Sequence, residues 1–256
     1  MKYGLAKKSD LPQLTELWSI SFGDDPKEIR GFWTATFDKI RVYTATEGKQ
    51  IHAMACVIPT SFIDEEGESY SCGYVYAVCT DPKSRGRGIC QGLMEYIHKS
   101  CGYAYTALVP AEENLFTFYE KLGYETCFFC KEYTVSPKKG GKISPASAEV
   151  YRSIRELQLY DNFLSYEEYL LPCAGKLYRI ETEDGLYCGC CYHKDGTLLI
   201  RELLPDSPEA AAALCAHLGC RKAVVRTMGE DKPFGMLRSL KGHSIPSSGY
   251  LGLALD

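Results

Sequence analysis

The sequence predicts an α/β (α+β) protein: a central mixed, twisted sheet flanked by helices, followed by a second α+β lobe. Three observations carry this. Short runs rich in Val, Ile and Tyr alternate with amphipathic stretches over 256 residues. One strand runs into one helix through a turn rich in Gly and Arg, "TDPKSRGRGICQG". The order of elements over residues 51–135 then recurs in the second half of the chain.

The first lobe opens with "DLPQLTELWSISF", where Leu11, Leu14, Leu17 and Trp18 share one helical face. Asp10 is the expected N-cap, and Pro12 sits in the first turn. A second helix is expected over 28–38. "RVYTATEGKQIHAMACVIPTSFI" reads as two strands around the turn "EGKQ", and "YSCGYVYAVCT" as a third. A helix follows from Ile89 to Ser100, with Ile89, Leu93, Met94, Tyr96 and Ile97 as its apolar positions. "YAYTALVP" is a strand, "EENLFTFYEKLG" a helix ended by Gly123, and "YETCFFCKEYTV" a strand. Residues 136–147, "SPKKGGKISPAS", lack an apolar period and read as a linker. The expected organisation is therefore 1–135, a linker over 136–147, and a second lobe over 148–256.

Composition excludes several classes. Hydrophobic residues are 45% and charged residues 24%, as in a soluble globular protein. The net charge of −4 gives no basic excess for a nucleic-acid backbone, so no nucleic-acid partner is expected. No apolar run approaches a membrane span, and the N-terminus lacks a signal-peptide core. A cytoplasmic protein, monomeric or homodimeric, is expected. The 13 cysteines are an odd number and sit mostly in apolar stretches, as reduced thiols do. "CFFC" and "CGCC" lie in expected strands, where Cys127 and Cys130 face opposite sides. No metal site is expected.

The Gly–Arg turn has a chemical reading. Backbone N–H groups at a helix start converge on one spot, and the helix dipole favours an anion there. Gly86 and Gly88 clear the approach, and Arg85 and Arg87 add charged donors. This suits a phosphate or pyrophosphate. A solvated basic turn that needs glycine only for its dihedrals is the alternative. The turn is neither a phosphate-binding G-K-[ST] loop nor a G-x-G-x-x-G fingerprint.

"VYAVCTDPKSRGRGICQGLMEYI" resembles motif A of the GNAT superfamily of acyl-CoA-dependent acetyltransferases. That motif is a strand, a turn [QR]-x-x-G-x-[GA], and a helix. Arg85, Gly88 and Cys90 fall on its signature positions, with Cys90 departing from the usual Gly or Ala. "NLFTFYEKLGYE" resembles motif B, with Tyr119, Gly123 and Tyr124 on its pattern. Where many members carry an Asn ahead of that Tyr, Glu112 stands here, and Asn114 lies nearby. The resemblance covers about residues 1–135. It implies the GNAT fold, acetyl-CoA (coenzyme A) as cofactor, and acetyl transfer to a primary amine of a small molecule or peptide.

The resemblance also implies roles. Amides of Val78 and Cys79 would grip the pantetheine arm. Amides of Arg85, Gly86, Arg87, Gly88, Ile89 and Cys90 would hold the pyrophosphate. The amine would attack directly through a tetrahedral intermediate, and Tyr119 would protonate the leaving thiolate. A packing aromatic is the bland reading of Tyr119. The base is open. Tyr74 and Tyr76 stand on the strand where many members carry Glu, and His52, Glu112 and Glu113 have structural readings as well. A non-catalytic acyl-CoA sensor is the alternative function.

The second lobe reads as strands "GKLYRIE", "GLYCGCCYH" and "TLLIREL". Next comes a helix with Ser207 as N-cap and Pro208 first, then a strand "RKAVVRT", a helix "KPFGMLRSL" and a closing strand "GYLGLAL". Where the first copy has "KSRGRGIC", this one has "SPEAAAAL". It resembles a degenerate second GNAT lobe that would not hold coenzyme A and could wall the acceptor site; an unrelated small α+β domain is the alternative. In some two-lobed relatives the terminal carboxylate reaches the active site, which would make Asp256 a candidate base.

Overall fold

Helix boundaries follow local chemistry. In the computed structural model, which describes residues 1–255, Pro26 and Pro208 open their helices. Asp25 accepts from the Lys27 N–H, and Ser207 from the Ala210 N–H. In chain order the elements begin β1 (Lys2–Leu5), α1 (Leu11–Phe22), α2 (Pro26–Thr36), β2 (Arg41–Glu47) and β3 (Gln50–Ile63). Next come β4 (Ser69–Thr80), α3 (Ile89–Ser100), β5 (Tyr105–Leu108), α4 (Asn114–Glu120), β6 (Glu125–Val135) and β7 (Lys142–Pro145). The rest are α5 (Ala148–Leu157), β8 (Phe163–Tyr166), α6 (Leu171–Ala174), β9 (Lys176–Thr182), β10 (Gly185–Lys194), β11 (Thr197–Leu204), α7 (Pro208–His217) and β12 (Lys222–Ser239).

The chain forms two units that interleave in sequence. The first comprises Met1–Thr60, Tyr70–Glu125 and Met236–Ile245; the second comprises Ser61–Ser69, Thr126–Gly235 and the stretch from Pro246. Residues 126–135 thus fall in the second unit, and 236–245 in the first.

In the first unit the strand order is β1-β2-β3-β4-β5, with the end of β12 beyond β5. The sheet is mixed. β2 runs antiparallel to β1 and β3, whereas β4 and β5 are parallel. Leu93, Met94 and Ile97 of α3 and Tyr119 of α4 bury against Ala53, Ala55, Val57 and Val75 of the sheet. The small side chains of β3 let the helices approach closely. Trp18 of α1 and Trp33 of α2 meet edge to face at 5.1 Å, and Trp18 also meets Tyr76 of β4 at 5.4 Å.

In the second unit β10 lies antiparallel to both β9 and β11, and β11 is parallel to β12. Four consecutive alanines of α7, Ala210 to Ala213, are buried, two of them against Ile180, Ile200, Leu203 and Val225. A second feature is a buried ion pair. Arg155 Nε lies 3.0 Å from Glu202 Oε2, and both side chains are all but inaccessible. Tyr151 donates to the same carboxylate at 2.6 Å, and the guanidinium donates to the Leu164 and Leu251 carbonyls at 2.7 and 3.3 Å. Gly252, at φ +73°, lies against this pair, and a Cβ there would overlap Glu202 Oε1.

Three local expectations are corrected. Residues 142–145, expected as linker, are strand β7, paired antiparallel with β9. Ile143 pairs with Ile180 in that ladder and packs on the core, a contact that its polar neighbours hide. "KPFGMLRSL" is strand, not helix. The free edge of β5 takes four antiparallel partners, Met236 to Ser239, and this pairing overrides the local apolar spacing. The closing stretch makes only isolated bridges at Gly249 and Tyr250, then runs irregularly and buried through Leu255. The left-handed Gly252 stops it from continuing as a strand.

Glu202→Ala should therefore destabilise the protein by about 3–5 kcal/mol, because it strands a buried guanidinium. Urea unfolding checks this. Arg155→Met combined with Glu202→Leu should recover much of the loss, since it removes both charges together.

Candidate active site

β4 and β5 pair only from Cys72 to Tyr74, opposite Tyr105 to Ala107. β4 then runs on to Thr80 without that neighbour, and Ala77 takes a positive φ of +51°. A non-glycine residue in that region marks a bulge that turns the strand away. Val78 and Cys79 lie on this freed stretch. Val78 packs towards the core below α3, and Cys79 is buried.

The freed edge leads into the Gly–Arg turn. Asp81 accepts from the Lys83 N–H at 2.9 Å, and its own N–H reaches the His52 carbonyl at 2.8 Å. Buried Ser84 meets His52 Nδ1 at 2.8 Å, so His52 braces the turn from beneath. Gly86 and Gly88 stand at φ +75° and +70°, the left-handed region that favours glycine. No heavy atom lies within 4 Å of a Cβ built on either, so open space faces the turn.

Gly88 is the N-cap of α3 and has no side chain to cap it. The first helical bond runs from the Gly92 N–H to the Gly88 carbonyl, which leaves the N–H groups of Ile89, Cys90 and Gln91 without helical partners. Ile89 is buried and Cys90 half-buried. Arg85 and Arg87 are both exposed. Arg85 donates to the Thr80 carbonyl at 3.3 Å, and Arg87 lies 3.6 Å from Glu47 of β2. These open amides, left-handed glycines and exposed arginines fit a pyrophosphate group.

Tyr119 of α4 is 7% exposed. Burial pushes its phenol up, and neighbouring Cys90 adds to the shift. Tyr119 therefore stays protonated at neutral pH, the form that can donate a proton. Burial likewise raises the Cys90 thiol to about 11 and the Cys79 thiol to about 12. Neither is an ionised nucleophile at neutral pH. Asn114 is the exposed first residue of α4. Asp256 lies outside the described residues.

Several acidic loop residues have structural work. Asp24 accepts from Trp18 Nε1 at 2.7 Å, Asp25 caps α2, and Asp64 accepts from the Glu66 and Glu68 N–H groups. Tyr74 and Tyr76 of β4 stack at 6.3 Å. All 13 cysteines are free thiols, and no metal-holding group of side chains occurs among the described residues. No helix is long and apolar enough to cross a membrane. Arg238 and His98, which meet behind Tyr124, carry no signal in the local sequence.

Residues 2–127 match the family described as Acetyltransferase (GNAT) domain. No curated protein matches the chain. Among solved structures, a "probable N-acyltransferase" of Enterococcus faecalis V583 superposes with a TM-score of 0.72 at 17% identity, over 94% of this chain and 72% of that one. A GCN5-related N-acetyltransferase from Anabaena variabilis gives 0.68 at 15%, over 94% and 73%. One from Kribbella flavida gives 0.65 at 19%, over 93% and 72%. At these identities the likeness is one of fold. In keeping with the strand splay, the glycine turn and the two motifs, the match makes residues 2–127 a domain of the acetyltransferase (GNAT) family.

Proposed function

We propose that the protein is an N-acetyltransferase that moves the acetyl group of acetyl-CoA to a primary amine of a small molecule or peptide. One observation carries the reading. The freed edge of β4 runs directly into the uncapped N-terminus of α3, and Tyr119 stands beside Cys90 on that helix. A ligand with an extended amide arm and a pyrophosphate would use both features. Bound there, acetyl-CoA would supply the activated acyl carbon. The amides of Val78 and Cys79 are proposed to hold the arm, and those of Arg85 to Cys90 the pyrophosphate, with Asn114 at the rim. Direct attack by the amine gives a tetrahedral intermediate. Tyr119 then donates its proton to the departing sulfur.

The base is proposed to be Asp256. That proposal rests on the family resemblance and on the lack of a carboxylate at Tyr74 and Tyr76. The same lack favours a second reading, an acyl-CoA sensor without turnover. Thiol release from acetyl-CoA over a panel of polyamines, amino acids and aminoglycosides separates the two: binding with no release on any amine supports the sensor.

The second half is proposed to be a degenerate GNAT-like lobe. Its β11, Ser207–Pro208, α7 and β12 repeat the order of β4, Asp81–Pro82, α3 and β5, and both strand pairs are parallel. Its helix start has no open amide cradle. The Ser207 hydroxyl accepts from the Ala210 N–H at 3.1 Å, where Gly88 leaves α3 open.

Gly88→Val should weaken coenzyme A binding about tenfold or more in calorimetry, because the branched side chain crowds the amides. The left-handed φ adds roughly 1–2 kcal/mol of strain. Unchanged affinity in the folded variant would end the assignment.

Tyr119→Phe keeps the ring and removes the proton. It should lower kcat by roughly 10²-fold with acetyl-CoA affinity nearly intact. Full turnover would return Tyr119 to packing alone.

Deleting Asp256 should abolish most turnover at an unchanged melting temperature. Normal kinetics after deletion would remove it as the base.

A further inference from the structure

Tyr119 stands on a short helix. α4 has seven residues, Asn114 to Glu120, and so few turns have little stability of their own. The last carbonyls of such a helix need partners from elsewhere. Arg238 of β12 supplies one. Its Nη1 donates to the Leu122 carbonyl, just past the helix end. Gly123, at φ +78°, follows at once, and a Cβ there would lie 3.4 Å from the Arg238 guanidinium carbon.

The same Nη1 lies 2.9 Å from Nδ1 of His98 on α3. A guanidinium only donates, so Nδ1 must accept and carries no proton. The proton of neutral His98 is then on Nε2, 3.0 Å from the Tyr124 hydroxyl, to which it donates. Burial, with Arg238 adding to it, lowers His98 to about 3, in keeping with that neutral tautomer. Tyr124 is 2% exposed, and its ring meets Tyr119 edge to face at 5.7 Å and 74°.

One guanidinium thus ties the end of α4 to α3 and, through His98 and Tyr124, fixes the ring against which Tyr119 packs. We infer that Arg238 is a positioning residue: it sets where the Tyr119 hydroxyl stands relative to the N-terminus of α3. The inference rests on the reading of Tyr119 as the proton donor. Arg238 touches neither cofactor nor acceptor in this scheme and acts through Tyr119.

The test is a double-mutant cycle with a structural readout. Arg238→Met, Arg238→Lys, Tyr119→Phe and the Arg238→Met/Tyr119→Phe pair are compared for thiol release from acetyl-CoA, using the fastest amine of the panel, or water where no amine reacts. Coenzyme A affinity is measured alongside. Arg238→Met and the wild type are crystallised with coenzyme A. The expected results are kcat about tenfold lower in Arg238→Met with affinity nearly unchanged, partial rescue by Lys, no further loss in the Tyr119→Phe background, and a displaced Tyr119 ring in the crystals. Equal losses in both backgrounds, or a Tyr119 ring unmoved in the Arg238→Met crystal, would overturn the inference. Failure of the underlying reading looks different: Tyr119→Phe keeps full turnover while the ring still moves. If Arg238→Met does not fold, Arg238→Lys carries the same comparison of ring position.

Discussion

A β-strand that loses its neighbour must settle its hydrogen bonds some other way. β4 faces this beyond Tyr74, where β5 has parted from it. The bulge at Ala77 turns the freed stretch, and the stretch ends at Thr80, where the Gly–Arg turn begins. Most of what makes the first unit a candidate enzyme depends on this parting. It ends the β4–β5 ladder at Tyr74, ahead of Val78 and Cys79. It also places β5 where its far edge accepts β12, the strand that carries Arg238.

The two units treat polar groups in opposite ways. The first leaves backbone amides open at α3 and guards them with glycines whose missing side chains keep space clear. The second closes its equivalent helix start with Ser207 and packs alanines where the first has Arg and Gly. Its own charges are turned inward, as Arg155 and Glu202, with Tyr151 and two backbone carbonyls completing their bonds. A buried pair of this kind contributes little net stability against an apolar replacement. What it does here is specify geometry: the guanidinium and the Tyr166 hydroxyl both hold the Leu251 carbonyl, so the chain passes that point in one way.

Much of this was legible in the sequence, and the reason is local. A proline after a capping Ser marks a helix start whatever surrounds it, as at Ser207–Pro208; Asp25–Pro26 carries the same signal, yet the helix expected over 28–38 runs from Pro26 to Thr36. The left-handed Gly86 and Gly88 likewise announce the turn through their own backbone needs. The misreadings concern residues whose state is decided by distant partners. Met236 to Ser239 are strand because Tyr105 to Leu108 offer an edge, and Ile143 is strand because Ile180 does. Arg238 and His98 are 140 positions apart, and no window of sequence joins them.

The interleaving of the units has a consequence for how the protein is made. A ribosome delivers β5 long before it delivers Met236 to Ser239, the strand that covers the β5 edge. Until then the nascent first unit holds an open sheet edge lined by Tyr, Thr, Ala and Leu, the kind of surface that recruits stray strands. The chain emerging in the meantime, Thr126 to Gly235, is most of the second unit. Vectorial synthesis therefore cannot finish the first unit before most of the second has emerged. Each unit thus waits for a late segment, the first for Met236 to Ile245 and the second for the stretch from Pro246, and the strand that carries Arg238 closes the first.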